Sequence, residues 1–175
     1  MSDYQTFGVS GAGAWGTSLA QGLATGGRDV TLWAFEKSCI DAVNNEHCNT
    51  LYLPDAKLSP NIKATQDLQS LAQCDALLSV VPAQHTRRTL AALKDNPSIA
   101  GKPVLLCSKG IEISTREFMS DVLAETLPQV IPAVLSGPSF AIEVAKGLPT
   151  AVTLACKDKG IGEALVKAVA APTFR

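Results

Sequence analysis

The feature that most constrains this chain is Gly11-Ala12-Gly13-Ala14-Trp15-Gly16, which fits the spacing G-x-G-x-x-G directly after the β-prone run Thr6 to Ser10. Each glycine answers a mechanical demand. The first allows a tight turn out of a strand. The second has no Cβ, so an anionic ligand can approach its backbone, and the third lets helix and strand pack closely. A pyrophosphate there would rest on the free N–H groups of the next helix, where the helix dipole also favours negative charge. Three glycines also describe an ordinary loop, and the flanking residues narrow the reading. Thr17 to Ala24 has helical composition and stops at Gly26-Gly27, a signal for a helix C-terminus. Val30-Thr31-Leu32-Trp33-Ala34 then reads as a second buried strand, closed by Phe35-Glu36. Glu36 stands twenty residues past Gly16, where an acidic side chain can meet an adenosine ribose. Strand, glycine turn, helix, strand and acid predict dinucleotide binding.

The 175 residues suffice for one substantial core, and 46% apolar against 18% charged residues describes an α/β protein with a largely buried sheet. A net charge of −1, with no basic stripe interleaved with aromatics, argues against a nucleic-acid partner. No apolar run is long enough to span a bilayer, and Met1 to Gln5 lacks the basic and apolar regions of a signal peptide, so no membrane insertion and a cytoplasmic location are expected. The five cysteines are scattered, with no C-x-x-C pair. Cys74 and Cys107 are expected in the core, and His47-Cys48 near Cys39 lacks the ligand pairs of a metal site, so no metal is expected.

Further along, Lys37 to Asn45 predicts a short helix with Ile40 and Val43 on one side, and residues 46–61 an irregular excursion long enough to close over a ligand. Ile62 to Ala64 predicts a strand and Asp67 the cap of a short helix. Ala76 to Val81 is a near-continuous apolar run, as in a strand covered on both faces, and stops at Pro82. Thr86 to Leu93 predicts a helix with Leu90 and Leu93 inward and Arg87 and Arg88 solvated. Pro103 to Cys107 is the next buried strand, followed by an amphipathic helix over Arg116 to Leu127 whose apolar side includes Phe118. Ala133 to Ser136, Ala151 to Ala155 and Ile161 to Ala170 complete the pattern as strand, strand and helix. The alternation predicts a doubly wound, mainly parallel sheet of Rossmann type, one dinucleotide-binding domain over residues 1–175. In such sheets ligands gather at the carboxyl ends of the strands, where the glycine turn, Phe35-Glu36, Pro82, Lys109 and Gly137-Ser139 all fall. The sequence closes on Pro172-Thr173-Phe174-Arg175 with no polar tail, so a further domain is expected beyond Arg175.

Six segments together resemble the NAD(P)-dependent glycerol-3-phosphate dehydrogenase family over essentially the whole chain. They are Gly11 to Thr17, Tyr52-Leu53-Pro54, Val81-Pro82, Ser108-Lys109-Gly110-Ile111-Glu112, Ser136 to Ala141 and Gly147 to Ala151. The resemblance implies interconversion of glycerol 3-phosphate and dihydroxyacetone phosphate, a phosphorylated triose, feeding glycerophospholipid synthesis. It implies that Gly11, Gly13, Ala14, Trp15 and Gly16 line the cofactor pyrophosphate, Phe35 lies against the adenine, Tyr52 closes the nearby loop, and Pro82 and His85 border the nicotinamide side. The chain departs from the bacterial form of the family at Ala14, where a serine is common, and at Phe35-Glu36, where an arginine or histidine is common. Ala141 is implied as a further cofactor contact, Lys109 as a contact to cofactor and substrate, and Gly137 and Ser139 as substrate ligands. Lys109 is the catalytic candidate within the chain; the main proton-transfer lysine of such enzymes is expected in a C-terminal helical domain past Arg175. Ser139 is also placed to cap a following helix. Glu36 favours NAD as cofactor, with NADP the alternative, and the full-length protein is expected to be a homodimer. Two other readings stay open at this point: another two-domain dehydrogenase for a hydroxyacid or hydroxyacyl substrate, and a non-catalytic dinucleotide-sensing module.

Overall fold

The computed structural model of the chain describes residues 4–175. The strands β1 (Thr6–Ser10), β2 (Asp29–Trp33), β5 (Ile62–Thr65), β6 (Ala76–Ser79), β7 (Pro103–Leu106), β8 (Ile131–Ser136) and β9 (Thr153–Cys156) form one sheet in the order β5-β2-β1-β6-β7-β8-β9. All neighbours pair in parallel except β8 and β9. From β1 the chain builds outward through β2 to β5, then crosses back to place β6 on the other side of β1. The connections that leave the carboxyl ends of β1 and β6 therefore run to opposite faces of the sheet, and the crevice between them is where an open α/β sheet receives a ligand.

Alternation along the strands feeds two cores. Val9, Leu32, Leu78, Leu105 and Leu135 pack into one cluster with α1 (Ala14–Thr25), α2 (Lys37–Glu46), α5 (Ala141–Ala145) and α6 (Lys159–Val169). Leu77, Val104 and Leu106 join a second cluster with α3 (Ala83–Ala91) and α4 (Met119–Thr126). Both faces of the sheet are thus covered, which is why its strands read as apolar runs. Cys74 and Cys107 are buried among these residues.

The structure departs from the sequence expectation in four places. Residues 46–61 are not irregular throughout: β3 (Cys48–Asn49) and β4 (Leu53–Lys57) pair as an antiparallel hairpin. Helix α3 begins at Ala83, directly after Pro82, whose missing N–H costs nothing at a helix start. Helix α4 begins only at Met119, because Arg116 has a left-handed φ of 63° and Phe118 pairs with Ile111 in an isolated bridge. Phe118 is therefore exposed and no part of the helix's apolar side. Arg87 is not a solvated side chain; it is bound by three carboxylates.

Candidate dinucleotide site

Gly11 has φ 114°, a region that glycine enters freely, and its N–H donates to the Trp33 carbonyl at 3.1 Å. A Cβ at Gly16 would collide with the Gly11 carbonyl oxygen, so the third glycine is fixed by the turn's own backbone. A Cβ at Gly13 would meet nothing within 4 Å. Its side of the turn opens to the cleft. The first turn of α1 has neither a side-chain cap nor an acidic residue, which leaves its N–H groups free for an anion.

Two adjoining clefts meet at this turn. The first, about 410 Å³, is lined by Gly11, Gly13, Phe35, Glu36, Tyr52, Pro82 and His85, with Arg88 and Thr89 of α3. The second, about 450 Å³, is lined by Ala14, Trp15, Pro82, Lys109, Ser139 and Ala141, with Phe140 between the last two. Pro82 borders both. Ten of the side chains or backbone positions expected at the site thus come to one crevice above β1 and β6, together with Gly11 and Gly13. Gly16 and Gly137 line neither cleft. Gly16 is a packing position, and a Cβ on Gly137 would lie 3.0 Å from the Ala151 carbonyl oxygen and Val152 Cα. Gly137 still touches the site through its carbonyl, which accepts from Lys109 Nζ at 3.4 Å.

Each cleft is fastened by polar contacts from distant residues. Asn49, fully buried in β3, donates through Nδ2 to the Ala12 carbonyl and to Thr17 Oγ1, both at 2.8 Å, and its Oδ1 accepts from the Tyr52 N–H at 3.2 Å. That amide pins the hairpin to the glycine turn. Tyr52, on the loop between β3 and β4, then donates its hydroxyl to Glu36 Oε1 at 2.9 Å. The hydrogen bond to Glu36, with burial and the carboxylate's charge behind it, raises the Tyr52 pKa, so the phenol stays a donor. Phe35 beside it is 76% exposed, an aromatic face turned to the cleft mouth.

On the other side, Ser108 Oγ donates to the Val81 carbonyl at 2.7 Å. The segment after Lys109 is clamped to α3: Gln84 Nε2 donates to the Ile111 carbonyl at 2.8 Å, and its Oε1 accepts from the Ile113 N–H at 3.0 Å. Arg87 lies 2.9 Å from Glu112, 2.8 Å from Glu117 and 2.7 Å from Glu125. The Arg87 guanidinium, then the Thr115 hydroxyl, hold the Glu112 carboxyl below its ordinary range. Burial pushes the Cys107 thiol far up, so it is a neutral wall rather than a nucleophile. Ser18 Oγ reaches the Ala141 carbonyl at 2.6 Å and so ties the start of α5 to α1. Ser139 does not cap α5, whose cap position is Phe140; its buried hydroxyl has no partner among the described residues. A buried hydroxyl is seldom left unpaired without a reason. An open Gly13, uncapped N–H groups and this free hydroxyl fit a dinucleotide with a small polar molecule beside it.

The lining or supporting residues that sequence reasoning did not single out include Ser18, Asn49, Gln84, Arg88, Thr89 and Phe140. Phe140 had a signal, standing between Ser139 and Ala141. Asn49 and Arg88 had none, since their roles depend on segments far away in the chain.

Residues 6–161 match the family model described as NAD-dependent glycerol-3-phosphate dehydrogenase N-terminus. The chain belongs to this family. Its relatives include the glycerol-3-phosphate dehydrogenase [NAD(P)+] of Maricaulis maris, 56% identical over all of this chain and 52% of the relative. That of Hyphomonas neptunium is 55% identical over 98% of this chain and 51% of the relative. The solved glycerol-3-phosphate dehydrogenase of Coxiella burnetii superposes with a TM-score of 0.89 at 34% identity, covering 98% of this chain and 53% of that one. The chain spans about half the length of the curated relatives it matches. Among the described residues no helix is long and apolar enough to cross a membrane.

Proposed function

We propose that this chain is the cofactor-binding half of an oxidoreductase that interconverts dihydroxyacetone phosphate and glycerol 3-phosphate, a step that feeds glycerophospholipid synthesis. The observation that carries the reading is the second cleft: Lys109 and the unpartnered Ser139 hydroxyl border the same space as Trp15 and Ala141, next to the open glycine turn. The names of the relatives supply the substrate.

In this reading the pyrophosphate lies on Gly11 to Gly13 and the first N–H groups of α1, with Ala14 and Trp15 beside it. Phe35, Glu36 and Tyr52 hold the adenosine, Glu36 accepting from the ribose hydroxyls. Pro82, His85 and Ala141 border the nicotinamide side. NAD(P)H bound there would supply the hydride. Lys109 directs its ammonium toward the oxygen of the reacting carbonyl, where negative charge grows as the hydride arrives, and Ser139 donates to or accepts from the same small substrate. The Gly137 carbonyl keeps the ammonium on that side of the cleft. Two clamps keep these groups in place, one from Gln84 and Arg87 on the Lys109 segment and one from Ser18 on α5. The partner is a small phosphorylated triose, not a nucleic acid or a membrane; the location is cytoplasmic and the full-length protein a homodimer.

The test is to follow NADH oxidation by the full-length protein with dihydroxyacetone phosphate, and in parallel with a 2-keto acid. Turnover only with the phosphorylated triose supports the reading. Turnover with the keto acid, or with neither while NADH binds, refutes it.

A further inference from the structure

Helix α3 carries two consecutive arginines that the fold treats differently. Arg87 faces the segment after Lys109 and helix α4, where Glu112, Glu117 and Glu125 take up its guanidinium. Arg88, about 100° further round the helix, shares a side with His85 and lines the cleft that holds Gly13, Phe35 and Glu36. It is exposed, and its guanidinium has no ion-pair or hydrogen-bond partner among the described residues. Of the residues lining that cleft it is the one lysine or arginine.

Arg28, Lys37 and Lys63, the other cations near β2, do not line that cleft. Arg28 Nε donates to the Ala168 carbonyl at 3.1 Å, and Lys37 Nζ pairs with Asp41 at 2.8 Å. Lys63 lines a recess at the opposite end of the sheet, with Thr6 and Asp29. Glu36 alone would make the adenosine end of this cleft hostile to a phosphate. Its carboxylate repels the 2′-phosphate of NADP, which carries roughly −1.5 to −2 charges, while it suits the bare 2′-hydroxyl of NAD.

We infer that Arg88 is a specificity-determining residue that binds the 2′-phosphate of NADP and so lets the cleft take NADP despite Glu36. The inference rests on the dinucleotide reading of the site. A guanidinium presents several N–H donors in a planar fork that matches phosphate oxygens, and it stays charged at any working pH. Arg88 lines from α3 the same cleft that Glu36 lines after β2, so a phosphate on the ribose there comes within the field of both the carboxylate and the guanidinium. The two charges set the cofactor preference between them. Glu36 tilts it to NAD, and Arg88 reduces the tilt.

Calorimetric titration of NADH and NADPH into the 175-residue chain and its Arg88→Gln and Arg88→Lys variants tests this. Arg88 is exposed and unpaired, so both variants leave the core intact. An exposed charge pair is worth at most roughly a fivefold change in affinity. Arg88→Gln is therefore expected to weaken NADPH about three- to fivefold while NADH changes less than about twofold, and Arg88→Lys to keep most of the NADPH affinity. Raising the salt concentration should shrink the difference between parent and Gln variant for NADPH, because the contact is exposed. Equal losses for NADH and NADPH would place Arg88 on a part common to both cofactors and overturn the inference. Unchanged affinities for both would take it off the ligand and overturn it too. Failure of the parent chain to bind either cofactor would instead refute the dinucleotide site itself.

Discussion

Replacing Asn49 by alanine perturbs the contact that joins the β3–β4 hairpin to the glycine turn. The side chain is 0% exposed and makes three hydrogen bonds: to the Ala12 carbonyl, to Thr17 Oγ1, and from the Tyr52 N–H. Each such bond contributes about 1 kcal/mol net, and a buried group left unpaired costs more than one that regains water. The Ala12 carbonyl keeps a second donor, the Thr17 hydroxyl at 3.1 Å, and Tyr52 is exposed enough for its N–H to find water. Those two escapes hold the expected loss to about 2–3 kcal/mol. For a domain of this size that lowers Tm by about 4–12 °C. Tyr52 and Glu36 share a hydrogen bond across the same hairpin, so NADH affinity should fall along with stability. Differential scanning calorimetry gives the first quantity and isothermal titration with NADH the second. An alanine variant that melts within about 2 °C of the parent, outside the range expected for this loss, and binds NADH equally well would show that the hairpin is held by other contacts.

The clamp around Arg87 has a pH signature. The Glu112 carboxyl is depressed in the folded state, so its stabilisation is complete above the unfolded value of about 4.3 and is lost as pH falls through the folded one. Arg87→Ala should therefore flatten the fall of Tm between about pH 5 and pH 3, and thermal melts across that range that keep the parent's slope would contradict it. At the other cleft, Lys109→Arg and Lys109→Ala in the full-length protein should each lower kcat/KM about tenfold or more, since a planar guanidinium does not replace a compact ammonium at a strand end. Full activity in either variant would make Lys109 a structural residue.

Much of this was legible in the sequence because it is local. The Gly11-x-Gly13-x-x-Gly16 turn, the strand before it, the helix stop at Gly26 and the acid after β2 lie within one continuous stretch, and each obeys a short-range rule. The run 76–81 reveals a strand buried on both faces by composition alone. What escaped depends on contacts across the chain. The hairpin at 48–57 is held by Asn49 bonds to Ala12 and Thr17, 37 and 32 residues away, so its own sequence reads as a loop. Arg87 looks solvated on a helical wheel because its carboxylates come from 25, 30 and 38 residues downstream. Phe118 has the spacing of a helix residue, yet the left-handed turn at Arg116 and the bridge to Ile111 take it out of α4. Ser139 stands where a cap residue could, and only the position of α5, one residue on, leaves its hydroxyl free.

The central claim is that a dinucleotide lies against the backbone of Gly13, and Gly13→Val tests it with the least ambiguity. A Cβ there meets no atom within 4 Å and the backbone has φ −64° and ψ 176°, so valine fits the fold and fills only the space assigned to the pyrophosphate. NADH titrated calorimetrically into the parent chain should bind one to one, and into the valine variant at least about a hundredfold more weakly, a loss of about 2.8 kcal/mol, with Tm unchanged. Equal NADH affinity in the two proteins would contradict the account.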